Sequence, residues 1–247
     1  MLPTVVYLAF LALCLWILSA VNHQFLLQLI HVIARLTGSL QAAVTVYFLV
    51  VYPGIFVHEA AHWIIALLLG MNPSAFSVWP EFDGYSLRLG YVQMRRSDLL
   101  SESLVGAAPL LASLLLIALI SQQIFAMNHL IDAFDSQGIW AGMVAVAANI
   151  FRLDRLLWLY LLFALANGMM LSSSDREPLG PVLGFALFAM ITFIAMGLPT
   201  GPVTQLFGAI FPALESLVTS LLLILFLDIA ALVGIGTISI FVAPARS

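Results

Sequence analysis

Long apolar segments with almost no charge are the feature that most limits how this chain can fold. Residues 103–120 contain no charged side chain, and residues 42–69 contain only Glu59. A transmembrane helix needs about 20 consecutive, mainly apolar residues. Charged residues make up 8% of the chain and the mean hydropathy is +1.13, whereas a soluble domain carries about 25% charged residues. So few charges cannot cover a soluble globule, and we predict a polytopic membrane protein.

The charges that are present exclude one large class of partner. All 8 basic residues are arginine, and both they and the 12 acidic residues are scattered along the chain. No basic cluster is available to neutralise phosphates, so the composition gives no support to nucleic-acid binding. Cys14 is the single cysteine and lies in the first apolar run. It can form no internal disulfide and does not indicate a redox compartment.

The apolar runs predict an all-α fold with about six transmembrane helices in a single membrane domain, residues 1–247. The first run has no basic segment before it and only a weak cleavage signal, so we expect it to be retained as a span. It should end near Asn22-His23, and a shorter, partly amphipathic helix should follow at 25–36. The run at 139–150 is too short to cross alone. The expected spans are 2–21, 42–69, 103–120, 156–171, 179–198 and 211–242.

Two segments between the spans have a different composition. In residues 74–98, apolar and polar residues alternate loosely and Asp83-Gly84 is a turn signal, which together predict a small β-hairpin. Open strand edges are tolerated at membrane depth only against protein or water, so we place the hairpin at the interface. Three arginines in or just after the hairpin put it on the cytoplasmic side by the positive-inside rule. Residues 121–138 are expected to form a polar loop.

Inside the second span lies the pattern His58-Glu59-Ala60-Ala61-His62. On a helix, residues four apart lie on the same face. The two imidazoles can therefore bind one zinc ion, and Glu59 can accept a proton from water on that ion. An ionised carboxylate in an apolar span costs several kcal/mol without a partner, and a divalent cation is such a partner. The alternative is two interfacial histidines with a fortuitous glutamate between them.

A catalytic zinc site needs a third protein ligand and an open position for water. Asp175 is favoured on local grounds, because it follows an apolar helix at a polar turn, where its carboxylate can lie at membrane depth. Asp228 lies inside the last span and is a functional candidate by default, although it could equally pair with an arginine or cap a helix break. The candidates that the residues alone leave open are His129, Asp154, Asp175, Glu177, Glu215 and Asp228.

These motifs resemble those of the site-2 proteases, a family of intramembrane zinc metalloproteases. The first family motif is His-Glu-x-x-His within a transmembrane helix, as at residues 58–62. In the second, an Asn stands eight residues before the Asp that is the third zinc ligand, and Asn167 and Asp175 have this separation. The family also has a Gly-Pro-containing helix between the motifs, similar to residues 106–109, and a small β-sheet near the active site.

The resemblance covers about residues 42–178 and leaves 1–40 and 179–247 as peripheral segments. Within the second motif the chain has Met170 where the family often has Pro, and Arg176 where it usually has Gly. These departures resemble the divergent bacterial branch of the family.

The resemblance implies a zinc metalloendopeptidase that hydrolyses a peptide bond in or near the membrane segment of a substrate protein. Its zinc ligands would be His58, His62 and Asp175, and Glu59 would be the general base. Asn167 would hold the substrate backbone or support the oxyanion, and the alternative is a helix-packing hydrogen bond. The expected partners are that substrate and the lipid bilayer. With no organelle signal, we expect a multi-pass protein of a prokaryotic plasma membrane.

Other functions remain open from the sequence. In a metal-ion transporter the motif would be the transported-ion site, although the chain shows no internal repeat. A catalytically silent membrane scaffold of the same fold is the second alternative, although such a protein would most simply have lost Glu59. Prenyl-protein proteases take a downstream Glu as third ligand, but Glu177 and Glu215 lack the supporting Asp four residues on.

Overall fold

The computed structural model is a bundle of helices with one small strand-containing segment. It describes residues 2–74, 76–79, 81–82, 87–88, 90–95, 97–150, 152–170, 172–197 and 201–242. A 3₁₀ turn at Leu153–Arg155 precedes the fifth helix. The helices are α1 (Leu2–Thr37), α2 (Leu40–Leu68), α3 (Leu99–Gln123), α4 (Met127–Ile150), α5 (Leu156–Gly168), α6 (Ser173–Arg176), α7 (Leu179–Ala195) and α8 (Gly201–Val242).

In the part of the chain that the structure describes, four helices are long and apolar enough to cross a membrane. A helix of 29 residues such as α2 is about 44 Å long, which exceeds the hydrocarbon core of about 30 Å. Shorter apolar helices run over Gly138–Ile150 and Leu179–Phe193. Helix length and composition thus support the prediction of a helical membrane protein. The candidate spans are Val6–Thr37, Leu40–Leu68, Leu99–Gln123 and Ala213–Phe241.

The ends of α2 place the His-Glu-x-x-His motif within the apolar length of the helix. Ser39 is the N-cap, and its side chain accepts a hydrogen bond from the backbone N–H of Ala42. Beyond the other end, Gly70 has a φ of 72°, a left-handed conformation that ends helices. The motif at 58–62 begins about 6 Å and ends about 12 Å from the helix midpoint. With α2 centred in the bilayer, both values lie within the half-thickness of about 15 Å.

The short helix α5 packs against α2 at a pair of glycines. Its 13 residues make it about 20 Å long, which is shorter than the hydrocarbon core of about 30 Å. A Cβ atom on Gly54 would clash with the carbonyl oxygen of Ala164, and one on Gly168 would clash with the backbone of Gly54. Small residues allow such close approach of helices in membranes. This contact holds the end of α5 beside the motif.

The largest buried apolar cluster packs α5 on the sides that do not face α2. It draws on α1, α3, α5 and α8, and at its centre Leu18, Ile117, Leu162 and Leu221 are almost completely buried. The long helices α1 and α8 pack along each other and also contact α5. The peripheral segments predicted outside the protease-like region therefore help to position it.

Two predictions about helix boundaries are wrong. α1 continues through Asn22, where the sequence predicts a break. The Asn22 amide points into the bundle and donates to the carbonyl oxygen of Ala166, so the helix tolerates a polar residue there. Residues 127–137 are helical instead of a loop, because no Gly or Pro interrupts them and their apolar residues recur at helical spacing. Gly138, with a φ of 85°, divides α4 into two parts.

The predicted hairpin at 74–98 is present as two nested pairs of very short strands. β1 (Phe76–Ser77) pairs antiparallel with β4 (Tyr91–Val92), and β2 (Glu81–Phe82) pairs antiparallel with β3 (Leu87–Arg88). The turn signal Asp83-Gly84 lies outside the described residues. β1 and β4 both contact α2, so the hairpin folds back over the helix that carries the motif.

We expect Gly54→Ala to destabilise the protein, because the added methyl group meets the backbone of α5, which cannot rotate away as a side chain could. Overpacking of this kind costs about 1–3 kcal/mol. Thermal unfolding in detergent measures the loss. Gly234→Ala in α8 is the matched control, because a Cβ there meets no atom within 4 Å. Equal stability of Gly54→Ala and the wild type would contradict the close α2–α5 contact.

Candidate metal centre

The two histidines of α2 turn the same ring atom toward one point. Nδ1 of His58 lies 2.9 Å from the carbonyl oxygen of Gly168, and Nδ1 of His62 lies 2.9 Å from that of Val105. A carbonyl oxygen can only accept, so each Nδ1 carries a hydrogen and donates it, and each Nε2 can present a free lone pair. Hydrogen bonds of this kind orient metal-binding histidines.

Asp175 reaches the same point from a distant part of the chain. It lies in the one-turn helix α6, and its Oδ2 accepts a hydrogen bond of 2.8 Å from the backbone N–H of Ser172. α3 passes close to it, since a Cβ on Gly106 would lie 2.5 Å from the carbonyl oxygen of Asp175. The glycine at 106 therefore permits the approach of α6 that brings this carboxylate to the two imidazoles.

Three potential ligand groups converge at this point. The two Nε2 atoms lie 3.2 Å apart. The Asp175 carboxylate places Oδ2 3.5 Å from Nε2 of His58 and Oδ1 3.2 Å from Nε2 of His62. One proton can join only two of these groups, whereas a divalent cation attracts all three. We therefore regard His58, His62 and Asp175 as a candidate metal-binding triad.

The dimensions of the triad fit a tetrahedral site. Bonds of about 2.0–2.1 Å to a tetrahedral zinc ion place the ligand atoms about 3.3 Å from one another. The two Nε2 atoms are 3.2 Å apart, which matches this value, and each Nε2 lies 3.2 or 3.5 Å from a different oxygen of the Asp175 carboxylate. Two imidazoles and one carboxylate are also a donor set that catalytic zinc sites use, with the fourth position left for water or substrate. The residues present thus fit such an ion.

Glu59 is covered by the hairpin. Its side chain is buried, with 7% exposed, and the backbone of Gly90 lies against its carboxylate. A Cβ on Gly90 would lie 2.6 Å from Oε1 of Glu59, so a larger residue would push the carboxylate aside. The hairpin thereby keeps bulk solvent from one side of the group that the sequence predicts as the base.

A cavity of about 1070 Å³ joins these groups. It is large enough for a peptide segment, since ligand pockets commonly measure about 300–1,000 Å³. Ser172 lines it, while the side chains of Ser173 and Ser174 lie outside the description. The cavity wall includes the triad, Glu59, Asn167, Tyr91 and Val92 of β4, and Leu99 and Glu102 at the start of α3.

Most other candidates for the third ligand lie away from the triad. Asp154 is exposed and pairs with Arg152, whose hydrogen bond holds the pKa of Asp154 below its usual value. Glu215 accepts a hydrogen bond from a tyrosine of α1. Glu177 is different, because it lines the same cavity as the triad. The side chain of His129 falls outside the described residues.

Asn167 and Asp228 form a buried pair beside the cavity. Asn167, in the last turn of α5, is 8% exposed, and Asp228 in α8 is 1% exposed. The Asn167 amide nitrogen donates one hydrogen bond of 2.9 Å to the carbonyl oxygen of Phe163 and one of 3.3 Å to Oδ1 of Asp228. In the described part of the chain, Asp228 thus bonds to an amide instead of an arginine. α8 is continuous at this point, so Asp228 caps no helix break.

The sequence motif and the family resemblance point to the triad and Glu59 but not to the groups that hold them in place. The carbonyl oxygens of Val105 and Gly168 leave no signal in a sequence, because every residue has one. The cover of Glu59 by Gly90 depends on how the hairpin folds back. One signal was available, since Gly54 and Gly168 are small residues within apolar helices, and such residues mark close helix contacts.

No family model matches the chain, and no curated protein or solved structure matches it significantly. No matching protein therefore supports the resemblance to the site-2 proteases independently. The functional assignment must come from the geometry of the triad and of the residues around it.

We expect Asp175→Ala to weaken zinc binding by about a hundredfold or more, since even residues that only support metal ligands contribute about 10–100-fold. Competition with a chelator in detergent measures the affinity, and the wild type should bind one equivalent. Asp154→Ala is the control, because it removes a carboxylate whose side chain is 63% exposed. Unchanged affinity of Asp175→Ala would transfer the third-ligand role to another residue, with Glu177 the first to test.

Proposed function

We propose that this protein is an intramembrane zinc metalloprotease similar to the site-2 proteases, hydrolysing a peptide bond in or near the membrane segment of a substrate protein. The observation that carries the proposal is the convergence of His58, His62 and Asp175 on one point. Glu59 lies next to His58 on α2 and lines the same cavity. A metal-binding triad, a carboxylate beside it and a cavity of peptide size are the parts that metal-assisted hydrolysis requires.

The roles of the residues follow from their positions. His58, His62 and Asp175 would hold zinc, which when bound polarises the scissile carbonyl and stabilises negative charge on its oxygen. Glu59 accepts a proton from the attacking water while the water oxygen bonds to the carbonyl carbon. It then delivers that proton to the nitrogen of the leaving amine as the C–N bond breaks. One water is consumed, and a carboxylic acid and an amine are released.

The depth of the site favours a membrane-embedded substrate. The motif begins about 6 Å from the midpoint of α2, and the exposed apolar surface of the bundle would face lipid. A peptide bond within a transmembrane helix has its N–H and C=O groups engaged in the helix. The substrate must therefore unwind locally before its carbonyl can enter the cavity. The proposed partners are a transmembrane or membrane-proximal protein and the bilayer itself.

We infer a multi-pass topology of about six crossings, as the sequence predicts. The four candidate spans would be supplemented by the short apolar helices α5 and α7, which bring the chain into the membrane before and after α6. The arginines near the hairpin favour a cytoplasmic hairpin by the positive-inside rule. A prokaryotic plasma membrane is the proposed location.

We expect Glu59→Gln to abolish cleavage while zinc binding is retained, because the amide cannot accept the proton but leaves the three ligands in place. Loss of a general base lowers kcat by about 10² to 10⁴-fold. The measurement uses a panel of fluorescence-quenched transmembrane peptides in detergent micelles, with helix-weakening residue pairs at different depths. Glu215→Gln is the matched control, because it makes the same change at a carboxylate outside the cavity.

The same experiment separates the alternatives. Undiminished cleavage by Glu59→Gln would overturn the proposed mechanism. A wild-type protein that holds one zinc tightly but cleaves no peptide of the panel would favour the catalytically silent scaffold. Zinc that exchanges freely and crosses the membrane of reconstituted vesicles would favour the metal-ion transporter.

A further inference from the structure

The buried carboxylate of Asp228 has no role in the mechanism above. It lies within the Ala213–Phe241 candidate span and is 1% exposed. An ionisable residue at such a position is expensive, and its partner indicates its function. The partner is Asn167, whose amide donates to Oδ1 of Asp228. Oδ2 of Asp228 has no hydrogen-bond partner within the described ranges.

The partners of Asn167 define which way its amide faces. Its NH₂ group donates both hydrogens, one to the carbonyl oxygen of Phe163 and one to Asp228. The carbonyl oxygen of Phe163 only accepts hydrogen bonds. If the amide group of Asn167 were rotated by half a turn, its own oxygen would face that carbonyl oxygen, and two acceptors would meet without a hydrogen. The remaining polar atom, Oδ1 of Asn167, is buried and has no partner among the residues that the structure describes. Asn167 lines the cavity that contains the triad.

The last turn of α5 is held from three helices at this point. α1 contributes the Asn22 amide, which donates to the carbonyl oxygen of Ala166. α2 contributes His58, whose Nδ1 donates to the carbonyl oxygen of Gly168. α8 contributes Asp228, which accepts from the residue between them, Asn167. Asp228 is thus the contact that acts on the side chain at the cavity, while the other two contacts act on the backbone.

We propose that Asp228 is a positioning residue, which holds the Asn167 amide so that its carbonyl oxygen accepts a backbone N–H of the substrate. This inference rests on the proposed protease function. It assigns Asn167 to binding of the substrate backbone and not to the oxyanion, because the hydrogens that an oxyanion would need are already donated. Asp228 acts through Asn167 and takes no part in the transfer of protons.

The test measures steady-state kinetics with the peptide of the panel that is cleaved fastest. Asp228→Leu should raise KM about tenfold, the effect of one lost hydrogen bond, with kcat within about threefold of wild type. Asp228→Asn should restore KM to within about threefold, because its amide oxygen can accept the same hydrogen bond. Ser220→Ala, a buried polar residue of α8 that bonds to the Ser216 carbonyl, is the control and should change neither constant.

Two further comparisons show whether Asp228 acts through Asn167. Asn167→Leu combined with Asp228→Leu should raise KM no more than Asn167→Leu alone, since one contact is lost in both. Replacing single peptide N–H groups of the substrate by ester oxygens should identify one position that raises KM about tenfold in the wild type and has no effect in Asn167→Leu. Peptide affinity in the Glu59→Gln background, zinc content and thermal unfolding give readouts that do not depend on turnover.

Each outcome has a definite meaning. Wild-type KM in Asp228→Leu overturns the inference, as do additive effects in the double variant. A loss of kcat in Asp228→Asn equal to that in Asp228→Leu would place the carboxylate in the chemistry and overturn the positioning role. Asp228→Ala, which adds no bulk, replaces the leucine variant if that protein does not fold. Failure of the wild type to cleave any peptide would overturn the protease function first, whereas cleavage with unchanged KM overturns this inference alone.

Discussion

The contact between α2 and α5 at Gly54 and Gly168 is the constraint on which the geometry of the site depends. Apolar side chains gain little by leaving lipid for protein, so helices in membranes associate through close packing and hydrogen bonds. At this crossing the backbones touch, and the end of α5 is brought within reach of the motif helix. The carbonyl oxygen of Gly168 can then accept from His58, and Asn167 reaches the cavity. A methyl group at the crossing would disturb packing, ligand orientation and cavity lining together.

The same packing explains how polar groups are accommodated in an apolar chain. Each imidazole donates its Nδ1 hydrogen to a backbone carbonyl and so presents Nε2 to a shared point. Asn22 and Asn167 donate to backbone carbonyls of α5. Glu59 is enclosed by the hairpin backbone. Buried polar groups outside hydrogen bonds are costly, and in this bundle the bonds that relieve the cost also orient the site.

Part of this arrangement could be predicted from the sequence, for identifiable reasons. The motif at 58–62 depends on helical periodicity alone, so its geometry follows once α2 is recognised. Asp175 is separated from it by more than a hundred residues, so its position at a polar turn after an apolar helix only favoured it among six candidates, and the resemblance singled it out. The pairing of Asp228 with Asn167 depends on how α8 packs, which no local pattern encodes. The spacing of the apolar residues at 127–137 indicates a helix, but the polar residues of the segment favoured its interpretation as a loop.

The long separation along the chain between the members of the triad has a consequence for biosynthesis. His58 and His62 enter the membrane with α2, whereas Asp175 follows only after α3, α4 and α5 have been made. An ion held by the two imidazoles alone would be weakly bound, so stable binding of an ion would require the later segments. A metal ion bound by all three groups would link an early segment of the chain to a late one, as a crosslink would. Binding of a metal ion at this site would therefore depend on the order in which the helices are inserted.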